Sequence, residues 1–231
     1  MIGNWPCTLP DGTVSEELVV RHGAGQGPRI LIIPPLFSEH NLMRRQLVEM
    51  MRRLAEARID SVLPDLPGWN ESLVHLGSQT LAYWRDAMAE AAQFHGATDV
   101  LAVRSGALLL PVSLNGWSYA PHSGAKLLRA MIRARTIASR ETGKAETSEE
   151  LIEVGRRSGI TLAGWTIGAT MFAELEQAVP IAGERIVEIS QSEVGGPALW
   201  LRAESGEDSD QAARLAAILS AGIAGSGSPV E

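Results

Sequence analysis

The chain has 231 residues, 45% of them hydrophobic and 20% charged, which is the range of a globular protein with a sizeable core and excludes a disordered tail or a solenoid. Its 20 Lys+Arg stand against 27 Asp+Glu, a formal charge of −7 that opposes the counterion release behind most nucleic-acid binding, so neither nucleic acid nor an acidic membrane is an expected partner. A single cysteine, Cys7, excludes an intrachain disulfide and suits a reducing compartment.

No run approaches the roughly 20 apolar residues of a spanning helix, and Met1-Ile2-Gly3-Asn4-Trp5-Pro6 lacks the basic-then-apolar order of a leader, so a soluble, cytoplasmic protein is expected. Leu18 to His22 reads as an antiparallel edge strand, and Arg29-Ile30-Leu31-Ile32-Ile33 as a strand buried on both faces. Between them, Gly23-Ala24-Gly25-Gln26-Gly27 precedes a strand, whereas a dinucleotide fingerprint must follow one, so it is a turn. Residues 40–58 place Met43, Leu47, Met50, Met51 and Leu54 at helical spacing among arginines. A strand over Ile59 to Leu63, a helix over 79–94 and a strand over Val100 to Val103 complete an alternation that predicts a mainly parallel sheet flanked by helices, an α/β fold. In such sheets ligands bind beyond the carboxyl ends of the strands, here at 34–40, 64–72 and 104–106.

Downstream the pattern loosens. A helix of a turn or two fits between Ser105 and Leu114, a strand follows over Gly116 to Ala120, and helices read at 124–140, 147–157 and 168–178, with a short β-like run from Ile160 to Trp165. Residues 121–180 are therefore expected to be a helical insertion within one domain spanning 1–231. Strands at Arg185 to Ile189 and Ala198 to Arg202 and a helix at 209–222 close the chain, and the stretch Ala224-Gly225-Ser226-Gly227-Ser228-Pro229 is expected to fray.

Three segments in order, Ile33-Pro34-Pro35-Leu36-Phe37, Leu63-Pro64-Asp65-Leu66-Pro67-Gly68-Trp69-Asn70-Glu71-Ser72 and Ala102-Val103-Arg104-Ser105-Gly106-Ala107-Leu108-Leu109, resemble an α/β-hydrolase. Within that superfamily they resemble the exosortase A system-associated hydrolases, and the likeness continues through Trp117-Ser118-Tyr119-Ala120-Pro121, Leu162-Ala163-Gly164-Trp165 and Leu199-Trp200-Leu201-Arg202. The resemblance implies an α/β-hydrolase fold and a place in an exopolysaccharide or protein-sorting system; within that fold the C-terminal end is expected to be shortened.

A nucleophile elbow needs small residues two before and two after the nucleophile. That frame sets Ala102 and Gly106 around Arg104, whose guanidinium is neither nucleophile nor base at neutral pH. Shifting the frame to Ser105 puts β-branched Val103 in a small slot. Ser105 is thus either a helix N-cap or an atypical nucleophile; Arg104 is either the partner of a carboxylate or an anion-binding side chain in the pocket. The last histidine is His122, ahead of the acid position, so a triad would have to take the unusual form Ser105, His122 as base and Glu204 as orienter. With that triad incomplete, a non-classical or catalytically inactive hydrolase homologue is favoured over an active serine esterase or thioesterase using Ser105 with an atypical base. The loop Leu36-Phe37-Ser38-Glu39 would supply half of an oxyanion hole, or else cap the next helix through Ser38 with Glu39 favoured by the helix dipole. Asp65 and Ser72 organise their loop, and Trp69 walls the pocket. The remaining histidines, His22, His40, His75 and His95, are too scattered for a metal-ligand set, and neither metal nor cofactor is expected. A small-molecule or anionic ligand suits Arg104, and a homodimer is an arrangement the sequence leaves open.

Overall fold

The computed structural model describes residues 1–226, with side chains to Gly225. Its central sheet runs β1 (Ile2–Thr8), β2 (Val14–His22), β4 (Asp60–Pro64), β3 (Arg29–Ile33), β5 (Asp99–Val103), β6 (Asn115–Tyr119) and β9 (Ile186–Ile189). The pairs from β4 through β9 are parallel, whereas β1 and β2 are antiparallel additions at one edge. The expected edge strand is therefore internal: β1, which the sequence pattern did not announce, covers β2 over the register Ile2↔Val20 to Thr8↔Val14.

Two helical layers cover the sheet because its strands alternate between two cores. Ile30 and Ile32 face α1 (Ser38–Glu56) and α7 (Ser209–Ser226), meeting Met43, Leu47, Met50, Met51, Leu215 and Leu219. Leu31 and Ile33 face the other way, toward α2 (Leu81–His95) and its Trp84 and Met88. A period-two alternation in a run that is apolar throughout is how a doubly covered strand serves two layers.

Between β6 and β9 the chain forms α3 (Gly124–Glu141), α4 (Ser148–Ser158), a hairpin of β7 (Ile160–Leu162) and β8 (Trp165–Ile167), and α5 (Ala169–Gln177). Thr147 and Glu150 close a capping box that starts α4, which is why the polar linker before it ends where it does. The strand expected at Ala198 to Arg202 is a single 3₁₀ turn, Leu199–Leu201, preceded by the short helix α6 (Gln191–Val194). Leu199 is buried while Leu201 is almost fully exposed, so an apolar run that reads as a strand is a tethered turn with one inward side chain. Of the segment expected to fray, Ala224 to Ser226 continue α7, and residues from 227 on lie outside those described.

Candidate functional site

Parallel pairing of β4, β3 and β5 brings segments 34–39, 65–72 and 104–106 to the same carboxyl edge. At the end of β5 the backbone turns through Arg104 with φ 54°, the left-handed conformation that a strand-to-helix elbow imposes on its apex. Two residues on, a Cβ at Gly106 would lie 2.5 Å from the carbonyl oxygens of both Ile33 and Pro34. The elbow frame is thus Ala102-Val103-Arg104-Ser105-Gly106, and an arginine stands at its apex.

That arginine is held from three sides. Its Nε and Nη2 donate to the two carboxylate oxygens of Glu39 at 3.0 and 3.1 Å, and Nη1 donates to the Ala120 carbonyl at 3.2 Å. The guanidinium carbon lies 4.3 Å from the centroid of the Trp200 ring. Both partners of the ion pair are mostly buried, and the two-point fork is the geometry a guanidinium offers a carboxylate. Glu39 sits in the first turn of α1, where the helix dipole favours a negative charge.

Ser105 is fully buried, and its Oγ accepts the Leu36 N–H at 2.9 Å. It caps no helix: the residue ahead of the 3₁₀ turn 104–109 is Val103, and no side chain caps that turn. The hydroxyl instead ties the elbow to the loop after β3. Ser105→Ala is expected to cost about 1–3 kcal/mol, since a buried N–H would lose its acceptor; equilibrium urea unfolding measures it.

The proposed triad does not come together. Among the described residues no hydrogen bond joins Ser105, His122 and Glu204. His122 meets the elbow only through its backbone, donating its N–H to the Arg104 carbonyl. Its imidazole is pushed down to about 4, first by burial and then by Arg104, Lys126 and Arg129, which makes it a weak base at neutral pH. Glu204 follows a 3₁₀ turn rather than a strand and lies exposed in the loop before α7.

Nor is Ser38 a cap. Phe37 occupies the position before α1 with φ 55° and no side-chain cap, while Ser38 is the first helical residue and its Oγ accepts the Trp165 indole N–H at 3.2 Å. Phe37 is fully buried, with ring centroids 6.1 Å from Trp69, 6.0 Å from Trp84 and 5.8 Å from Trp165. Trp69 is 1% exposed and also packs on Trp84, Trp165 and His40. Instead of walling a pocket, Trp69 belongs to an aromatic plug over the carboxyl edge. What stays open beside it is a shallow groove of about 510 Å³ lined by Ser38, Asn41, Leu42, Ala163, Gly164, Trp165 and Ala203.

Asp65, nearly fully buried, accepts from Arg44 at 2.9 Å and from Asn70 at 2.8 Å. Ser72 accepts the Gly68 N–H and donates to Glu17, so both residues organise the loop that carries Trp69. The same cluster contains His40, which reasoning from spacing set aside: it is fully buried, with Nε2 2.9 Å from an Arg44 nitrogen. Burial, opposed by Asp65 and reinforced by Arg44, lowers its imidazole to about 4. His95 is likewise lowered to about 4, by burial and then Arg21 and Arg29. Between the ordinary 6.5 and about 4 the unfolded chain therefore binds protons that the folded chain does not, so stability should fall as pH drops through that window. Urea midpoints at pH 7.0, 5.5 and 4.5 should decline in order, and the decline should be shallower in His40→Gln.

Neither a protein-family model nor a curated protein sequence matches the chain. Its solved structural neighbours include mouse alpha/beta hydrolase domain-containing protein 10, at TM-score 0.60 and 13% identity over 97% of this chain and 100% of that one. A second is a provisionally named hydrolase from Agrobacterium vitis S4, at TM-score 0.52 and 8% identity over 97% and 98%. The Bacillus anthracis bromoperoxidase aligns over only 51% of this chain and 44% of its own, at TM-score 0.40 and 14% identity, and carries no argument. At these identities the likeness concerns architecture, and it agrees with the sheet order and the elbow: the chain has the α/β-hydrolase fold.

Proposed function

We propose that the chain is a non-catalytic α/β-hydrolase homologue, one that binds a ligand or protein partner in an exopolysaccharide or protein-sorting system instead of turning over an ester. The observation that carries this reading is Arg104 at the apex of the elbow, locked onto Glu39 where a hydrolase would present its nucleophile. The buried and occupied hydroxyl of Ser105, the lowered basicity of His122 and the aromatic plug all point the same way. Resemblance of the motifs at 33–37, 63–72 and 102–109 to the exosortase A system-associated hydrolases supports the choice of system.

Hydrolysis of short p-nitrophenyl esters and thioesters should stay at the rate of the buffer. Turnover well above it that Ser105→Ala abolishes, with circular dichroism unchanged, would establish the esterase alternative. In a producing cell, deletion should reduce surface polymer or sorting, and a Ser105→Ala chain that still folds should restore it. Restoration by the wild-type chain alone would contradict the proposal.

A further inference from the structure

The helix that follows β6, α3, turns its apolar half inward, where Leu127, Leu128, Met131 and Ile132 are buried in the core. Its outward half carries a line of positive charge. Lys126, Arg129, Arg133 and Arg140 are all exposed, and at 3.6 residues per turn they fall within about 60° of one another around the helix. From first to last the stripe runs about 21 Å at 1.5 Å per residue. Beside it lie Ala130, Ala134 and Ile137, exposed as well, with Ile137 at 48%.

Helix physics alone disfavours this placement. Lys126 stands in the first turn of α3, where the dipole repels a cation and no acidic residue offsets it. Arg129 and Arg133 are four residues apart, a spacing at which like charges repel. Among the described residues none of the four cations is in a salt bridge. Water satisfies their hydrogen bonds; what is uncompensated is the charge. The acidic side chains of the same insertion are engaged elsewhere: Glu146 pairs with Arg135, Glu153 with Arg157 and Glu176 with Arg156, while Glu150 closes the cap of α4 and Glu174 accepts the Leu81 N–H. Only Glu141 and Glu149 remain in residues 121–180, and neither reaches the stripe, in a chain whose net charge is −7.

We propose that the outer face of α3 docks an amphipathic acidic helix of a partner protein, with its carboxylates on the stripe and its apolar side chains on Ala130, Ala134 and Ile137. The stripe is about four helical turns long, and the small side chains of Ala130 and Ala134 let a second helix approach closely. A bilayer or a nucleic-acid duplex fits less well, because either extends past the stripe and meets the acidic remainder of the surface. The apolar face of α3 is already spent on the core, so none is left to enter a membrane. This gives the protein partner of the preceding reading a chemistry, yet it does not require an inactive elbow, since an esterase with the same α3 would dock the same helix.

The test is titration of the ¹⁵N-labelled full chain with a synthetic helical peptide of about five turns, bearing glutamates along one face and leucines beside them. Saturable amide shifts are expected along residues 126–140. Arg129→Gln with Arg133→Gln should weaken binding at least about tenfold, whereas Arg156→Gln with Arg157→Gln, which removes the same charge from α4, should change it less than about twofold. Ile137→Ser should weaken the peptide several-fold and leave any binding of polyglutamate unchanged. If the first double variant does not fold, Lys126→Gln with Arg140→Gln takes its place. Absence of saturation up to about 1 mM peptide would overturn the proposal, as would equal losses in the α3 and α4 variants. Polyglutamate or phosphatidylglycerol vesicles held on this face as tightly as the peptide would overturn it too. So would shifts of the same residues with protein concentration alone, which would assign the face to a second copy of the chain.

Discussion

Gly106→Val is expected to lower the unfolding free energy by at least about 3 kcal/mol, the upper range for forcing extra volume into a packed interior. The elbow brings the backbone of residue 106 against the chain leaving β3, and a Cβ there would meet two carbonyl oxygens at 2.5 Å. Because both are backbone atoms, neither can swing aside as a side chain could. Moving them would also disturb the Leu36 N–H that Ser105 accepts, coupling the damage to a second contact. Gly77→Ala is the control, since its added Cβ would touch only a Thr166 methyl at 3.4 Å. Urea unfolding of the two variants should give a large loss for the first and little change for the second.

Arg104→Ala should cost about 3 kcal/mol, because it leaves Glu39 charged and largely buried without its partner. Arg104→Lys should recover only part of that loss. A lysine ammonium cannot make the two-point contact with Glu39 while also lying flat on Trp200. Replacing both partners with apolar residues, Arg104→Met with Glu39→Leu, should come closer to wild type than Arg104→Ala alone, since no charge is then stranded. Wild type, Arg104→Met alone, Glu39→Leu alone and the double variant form a cycle whose coupling energy reads directly how tightly the apex is locked. Near-zero coupling would mean that the arginine is free to serve a ligand instead.

The central strands were legible because short β-branched runs such as Arg29-Ile30-Leu31-Ile32-Ile33, closed by Pro34-Pro35, have the pattern of a doubly covered strand, and the three loops of the carboxyl edge followed from them. Also legible was the elbow frame, since the small residues Ala102 and Gly106 are a local steric requirement. What escaped depends on contacts distant in sequence. Nothing local tells Ser105 to turn toward Leu36, 69 residues earlier, rather than cap its own turn. His40 looks isolated along the chain and becomes part of a cluster only when the loop with Asp65 and Asn70 folds over α1. Trp69 reads as a pocket wall until Phe37, Trp84 and Trp165 arrive from three other elements. The apolar run at Leu199-Trp200-Leu201 imitates a strand, whereas Trp200 stacks on Arg104 and Leu201 faces solvent.

Labelling the folded chain with a serine-reactive fluorophosphonate, followed by mass-spectrometric mapping of the adducts, tests most directly whether the elbow has lost its nucleophile. An apex occupied by Arg104 and a Ser105 hydroxyl buried against Leu36 predict no serine adduct above that of the heat-denatured protein. A stoichiometric adduct on Ser105 that forms only in the folded chain, and disappears in Ser105→Ala, would contradict the account.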